Sequence, residues 1–89
     1  MRYLMTCRLK NNKSFWEHLN KATPRLPSGC SILYSWNSSD KKLVWIMWEC
    51  DSIASLRQYI DRFLISFASF DYQQVIEESV DINEFKKAA

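Results

Sequence analysis

Six consecutive apolar residues, Leu43-Val44-Trp45-Ile46-Met47-Trp48, constrain the fold of this chain more than any other segment. The run is rich in β-formers and follows the polar turn sequence Asn37 to Lys41, so it predicts the second strand of a hairpin. Successive side chains of a strand point to opposite faces of the sheet, and both faces of this strand are therefore apolar. Exposing either face would cost roughly 25 cal/mol per Å² of apolar surface. We therefore expect both faces to be covered.

The remaining elements follow from periodicity and capping. Arg2 to Leu9 and Cys30 to Trp36 read as strands, the second with Ile32, Tyr34 and Trp36 on one face. Ser14 and Glu17 have capping-box spacing and predict a helix that starts there and ends before Pro24. The second helix is capped by Asp51 or Ser52, and its apolar positions are Ile53, Leu56, Ile60, Phe63, Leu64 and Phe67. Tyr72 to Val80 predicts a final strand.

The order βαββαβ predicts an α+β fold, the ferredoxin-like antiparallel sheet with two helices on one face. With 89 residues, the chain has room for one such domain, which we place at residues 1–80, followed by a C-terminal tail at 81–89. The helices cover one face of the sheet. A back-to-back homodimer, the dimeric α+β barrel, would cover the other; a monomer covered by its own tail or a different partner protein is the alternative.

Composition excludes several classes of function. One glycine cannot build a phosphate-binding loop, and one histidine cannot build a two-histidine metal motif, so no metal site is predicted and the cofactor is left unassigned. A net charge of +2, and the absence of an RNP1-type glycine around Lys41 to Trp45, argue against nucleic-acid binding. No apolar stretch is long enough to span a membrane, and no secretory signal is apparent. Three cysteines without a CxxC pair fit buried thiols in a reducing cytoplasm.

Five residues are candidates for a functional site. Glu49 ends the apolar strand, on the same face as Trp45. Burial there would raise the pKa of Glu49 and suit it to acid–base catalysis. The simpler alternative is a carboxylate that is solvated at the strand end or bonded to the N-terminus of the second helix. His18 is the only imidazole and a second catalytic candidate, although a solvent-facing helical histidine is the simpler alternative. Tyr34 and Trp36, with Trp45, are candidate ligand-binding residues in a pocket between sheet and helices, or simply core.

A family resemblance rests on three short motifs. The chain resembles an uncharacterised family of small bacterial domains whose pattern is L-P-x-G, then S-W, then F-Q-L-M-E-x-D. The corresponding segments here are Leu26-Pro27-Ser28-Gly29, Ser35-Trp36 and Trp45 to Asp51. The resemblance implies membership of the dimeric α+β barrel superfamily. The matching positions are Pro27, Gly29, Ser35, Trp36, Glu49 and Asp51.

The departures from the family pattern fall on its polar residues. The family's glutamine falls at Ile46, a glutamate at Cys7 and a glycine-arginine pair near Thr23-Pro24. If those polar residues form the family's site, Glu49 and Trp36 are what remains of it here.

Two functions are consistent with these observations. The first is a cytoplasmic homodimeric domain that binds a small molecule between sheet and helices or serves as an accessory module. The alternative is a small cofactor-independent enzyme of the monooxygenase or isomerase kind, using Glu49 or His18, since superfamily membership does not choose a reaction. A closed pocket containing either residue would favour the enzyme, and a filled interface between sheet and helices would count against a pocket there.

Overall fold

The computed structural model describes residues 1–22 and 26–76, and it contains six elements in the predicted order. They are β1 (Arg2–Leu9), α1 (Asn12–Ala22), β2 (Cys30–Asn37), β3 (Leu43–Cys50), α2 (Ile53–Phe63) and β4 (Ala68–Val75). The strands form one antiparallel sheet in the order β2-β3-β1-β4. This is a ferredoxin-like α+β arrangement, so the predicted fold is confirmed. The predicted C-terminal tail lies outside the described residues.

The core lies on one face of the sheet. On β3 every second side chain, Val44, Ile46, Trp48 and Cys50, is completely buried. Both helices contribute to the same cluster, and Leu56, Ile60 and Leu64 of the stripe predicted for α2 are buried in it. The prediction of Phe67 as a helical position is wrong, because α2 ends at Phe63. The cluster also contains Tyr3, Met5, Cys7, Phe15, Leu19, Leu56, Tyr59, Ile60, Leu64 and Ala68. The predicted covering of one face of β3 by the chain's own helices is therefore present.

The two helix starts differ in how well the sequence predicts them. Ser52 caps α2, and its Oγ accepts a hydrogen bond from the Ser55 amide at 3.4 Å, as expected. The start predicted for α1 at Ser14 is wrong. Asn11 is the cap, because its Oδ1 accepts a bond from the Ser14 amide at 2.9 Å, and the helix begins at Asn12. Ser14 is thus the third residue of the helix, where it receives the capping bond.

The last strand is also displaced from its predicted position. β4 runs from Ala68 to Val75, four residues earlier at its start than the predicted Tyr72 to Val80. Its start is fixed by a backbone hydrogen bond of 2.9 Å from the Lys10 amide to the Phe67 carbonyl, and by the pairing of Ala68 with Leu9. Residues 77–80 of the predicted strand lie outside the described residues.

A β-bulge changes the facing of β2. Ile32 is opposite Trp48, whereas Tyr34 is opposite Met47, so two steps along β2 match one step along β3. Leu33 is the extra residue. Because Trp48 faces the core and Met47 faces away from it, Ile32 lies on the core face while Tyr34 and Trp36 lie on the other. The predicted placement of all three on one face is wrong for this reason.

Across the described parts of the chain, no helix is both long and apolar enough to cross a membrane.

Candidate functional site

The face of the sheet opposite the helices, here called the open face, carries the most exposed large aromatic side chains. Strand pairing places its side chains in rows across the four strands. One row runs Tyr34, Met47, Leu4, Gln73, and the next runs Trp36, Trp45, Thr6, Asp71. The large apolar side chains of these rows are therefore concentrated on β2, β3 and β1, and each row ends in a polar side chain on β4.

Tyr34 and Trp36 form the outer edge of this apolar area. Their side chains are 62% and 47% exposed, and their rings stack with centroids 5.8 Å apart and planes 26° from parallel. Trp45 and Met47 beside them are half-buried. The prediction that Tyr34 and Trp36 line a pocket between sheet and helices, or belong to the core, is therefore wrong. Both lie on the opposite side of the sheet, with Trp45, where a partner could reach them.

Charged groups flank the apolar area at both ends of the strands. At one end Glu49 Oε2 is 3.2 Å from Arg2 Nε, and its Oε1 is 3.2 Å from the Met1 amino group. At the other end Arg8 Nε is 4.0 Å from Asp71 Oδ2. Exposed pairs of this kind add little to stability. They do give each end of the open face both signs of charge.

Glu49 has a pKa below its ordinary value, so the increase expected from burial is absent and the simpler alternative, a solvated carboxylate at the strand end, is what the structure shows. The largest cause is the hydrogen bond from the Met1 amino group, and the bond from Arg2 acts in the same direction. Burial, the basis of the prediction, acts in the opposite direction and is outweighed, because the carboxylate lies exposed at the strand end. A carboxylate held in its ionised form is poorly suited to act as a general acid near pH 7.

The Glu49 contacts predict a weak dependence of stability on acid pH. Because its folded-state pKa is lowered, its contribution is present above the unfolded value and is lost as pH falls through the folded pKa. We expect the stability difference between wild type and Glu49→Gln to shrink below about pH 4.5. Urea unfolding of both proteins from pH 7 to pH 3 measures this difference in the free energy of unfolding. A difference that grows as pH falls would contradict the assignment.

His18 lies on the helix side of the sheet. A carbonyl oxygen only accepts, so Nδ1 carries the hydrogen in its 2.8 Å contact with the Ser14 carbonyl. The ring also stacks on Phe67, with centroids 4.0 Å apart, and the side chain is half-buried. Glu49 projects from the open face, so one copy of this chain does not bring the two catalytic candidates together.

The space between sheet and helices is filled by side chains. Phe15, Met5 and Trp48 are completely buried there. Of the clefts at the surface of the described residues, three are open ones near the sheet and α2, and neither His18 nor Glu49 lines any of these three. One, of about 390 Å³, opens beside the open face, and two of about 400 and 310 Å³ lie along α2. Their linings are Arg2, Tyr34, Met47, Val75 and Ile76 for the first; Arg57, Asp61, Phe70, Asp71 and Tyr72 for the second; Pro27, Ser55, Gln58, Tyr59, Arg62 and Phe63 for the third.

Two of the motifs behind the family resemblance meet in space. Gly29 has φ +81°, and its carbonyl accepts a hydrogen bond of 3.3 Å from the Asp51 amide. The Asp51 carboxylate occupies the position that a Cβ on residue 29 would need. Gly29 and Asp51 therefore form a turn that joins the start of β2 to the end of β3. This gives them a structural role that the spacing of the motifs did not reveal.

Leu4, Met47 and Arg2 are open-face residues that sequence reasoning did not select. Met47 could have been found, since it shares a strand face with Trp45 and Glu49. Leu4 and Arg2 needed the register, which places them opposite Met47 and Glu49. Among the described residues, no group of three or more His, Cys, Asp or Glu is arranged to hold a metal ion.

The fold and this face define a ferredoxin-like α+β domain with one face covered by helices and one open. The chain belongs to the family described as a domain of unknown function (DUF3303), whose profile matches residues 1–88. The predicted resemblance to an uncharacterised family of small domains is thereby confirmed. No curated protein and no solved structure shows a significant match to the chain.

Proposed function

We propose that this domain works as a homodimer that pairs through its open faces and binds a small molecule at the edge of that interface. The main support for this proposal is the exposed, stacked pair of Tyr34 and Trp36 beside Trp45 and Met47. Aromatic residues and Met are enriched at protein interfaces, and large exposed apolar patches mark interaction sites. The paired arrangement would be the back-to-back packing of a dimeric α+β barrel.

The size of the open face suits a second copy. Four strands spaced about 4.8 Å apart make the sheet roughly 19 Å wide, and strands of eight residues make it about 26 Å long. Two such faces together present roughly 1,000 Å² in projection, which is the lower limit for a specific interface.

The charges of the open face also favour a second copy. Each end carries a cation and an anion, Arg2 with Glu49 and Arg8 with Asp71. A two-fold axis can therefore place opposite charges against each other whichever ends meet.

The ligand-binding part of the proposal uses the cleft at one end of the open face. Its volume of about 390 Å³ lies in the range of small-molecule sites, and Tyr34, Met47 and Val75 give it an apolar lining with the Arg2 guanidinium at the rim. This composition suits a compact, largely apolar molecule with a hydrogen-bond-accepting or anionic group. The cleft replaces the predicted location between sheet and helices, which is filled.

A catalytic role is less well supported than binding. An acid–base pair made of His18 and Glu49 would have to act through the sheet, and neither residue lines a described cleft. A cytoplasmic location agrees with three cysteines that are free thiols in this structure.

Sedimentation equilibrium at micromolar concentration tests the dimer. The expected species has twice the chain mass of 10.6 kDa. A single 10.6 kDa species throughout this range would contradict the proposal.

A thermal-shift screen tests ligand binding. A compact aromatic carboxylate that binds the folded protein raises its melting temperature with concentration by mass action. We expect Arg2→Gln to reduce that shift, and Arg8→Gln, a matched change at the other end of the open face, to preserve it. Equal melting-temperature shifts in the two variants would show that the ligand does not bind in this cleft. That result would not bear on the proposed dimer.

A further inference from the structure

Cys30 and Cys50 are directly opposite each other on β2 and β3. The Cys50 amide donates to the Met1 carbonyl at 2.8 Å, and the Cys50 carbonyl accepts from the Met1 amino group at 3.0 Å. Both backbone groups of Cys50 therefore point toward the β1 side and away from Cys30. The bond from the Asp51 amide to the Gly29 carbonyl flanks the pair. The two cysteines are thus a non-hydrogen-bonded pair of the antiparallel ladder.

This kind of pair has the spacing that a disulfide requires. Cα atoms of a non-hydrogen-bonded pair are about 4.5 Å apart, and disulfides span Cα distances of roughly 4.4 to 6.8 Å. Directly paired residues also project their side chains to the same face of a sheet, so the two sulfur atoms lie on one side of it. No backbone rearrangement is needed to bring them together.

The two thiols differ in accessibility, and Cys30 lies near enough to Cys50 to affect the pKa of its thiol. Burial first, and a hydrogen bond with the Cys30 thiol second, raise the pKa of Cys50 to about 12. Cys50 is completely buried, whereas Cys30 is half-buried at the edge of the sheet. An oxidant arriving from solvent therefore meets Cys30 first.

We propose that Cys30 and Cys50 form a reversible disulfide that fastens the edge strand β2 to β3. The oxidant is a low-molecular-weight disulfide such as oxidised glutathione. The Cys30 sulfur attacks one sulfur of the oxidant, forms a mixed disulfide and releases one thiol, which takes up the Cys30 proton. The Cys50 sulfur then attacks the Cys30 sulfur, and the second thiol leaves with the Cys50 proton. Two protein thiols are oxidised and one external disulfide is reduced.

Cys7 provides an internal control. It is completely buried on β1, opposite Val44 and Phe70, and burial raises its pKa to about 12. Among the described residues it has no cysteine as a strand partner. Oxidation of the folded protein should leave it reduced.

Oxidation of the folded protein with oxidised glutathione, followed by unfolding, alkylation and mass analysis, tests this inference. We expect two of the three thiols to be lost. Trypsin places each cysteine on its own peptide, 3–8, 26–41 and 43–57, so the bridge appears as 26–41 joined to 43–57. Dithiothreitol should restore all three thiols.

Two variants sharpen the result. On oxidation, the Cys7→Ser variant should lose both of its remaining thiols, those of Cys30 and Cys50. The Cys30→Ser variant, changed at a half-buried position, should keep the thiols of Cys7 and Cys50. A bridge that includes Cys7, a stable glutathione adduct on Cys30 without a bridge, or three intact thiols after oxidation would each overturn the proposal. The peptide map of the wild-type chain decides between these outcomes even if a variant folds poorly.

Discussion

Replacing Trp36 with alanine is expected to weaken self-association by about 30-fold or more without unfolding the chain. Aromatic hot-spot residues at interfaces typically contribute 2 kcal/mol or more to binding, and 1.4 kcal/mol corresponds to a factor of ten. Trp36 is stacked on Tyr34 and lies opposite Trp45, in the aromatic part of the proposed interface. Because its side chain is 47% exposed in the single chain, truncation should cost the fold little. Sedimentation equilibrium across a concentration series gives the dissociation constant.

Ile65→Ala is the matched control for this change. Ile65 is 51% exposed, follows α2 and lies outside the open face, so its removal takes away a comparable exposed apolar side chain at another site. The control should keep the wild-type dissociation constant and melting temperature. If Trp36→Ala associates as tightly as Ile65→Ala, the open face is not the interface.

Gly29→Ala is expected to lower the free energy of unfolding by about 2 kcal/mol. A non-glycine residue at positive φ costs roughly 1–2 kcal/mol, and Gly29 has φ +81°. The new Cβ would also meet the Asp51 carboxylate, which must rotate away. For a domain of this length, 2 kcal/mol lowers the melting temperature by about 8–16 °C. Thermal and urea unfolding measure the two quantities.

The double variant Gly29→Ala/Asp51→Ala separates the two causes. Removing the carboxylate relieves the collision but not the backbone strain, so the double variant should recover the smaller part of the loss. Asp51→Ala alone should stay close to wild type, because the hydrogen bond between the two residues is donated by the Asp51 backbone amide. A double variant as stable as wild type would show that strain at residue 29 contributes nothing.

The order of the elements and the ferredoxin-like fold could be predicted from the sequence, because they depend on patterns that repeat over many residues. The stripe from Leu56 through Ile60 to Leu64 marked α2, and the run ending at Trp48 marked β3. Features decided by a single residue or one hydrogen bond could not be predicted. The cap at Asn11 depends on one side-chain bond, and the start of β4 depends on pairing across the sheet with β1.

The candidate site was predicted in part. Tyr34, Trp36 and Trp45 do share one surface with Glu49, but it is the open face of the sheet. A period-two pattern cannot predict the bulge at Leu33. The inserted residue moves every later side chain of the strand to the opposite face of the sheet. The pKa direction of Glu49 was also missed, because it depends on an amino group brought from the far end of the sequence.

The bulge divides β2 into two segments, one that packs against the core and one that lies on the open face. Before it, Cys30 and Ile32 pack against the core, so their identities are tied to the stability of the fold. After it, Tyr34 and Trp36 contribute surface, and substitutions there change the open face at little cost to folding. One inserted residue thus lets a single strand vary its exposed surface independently of its contribution to the core.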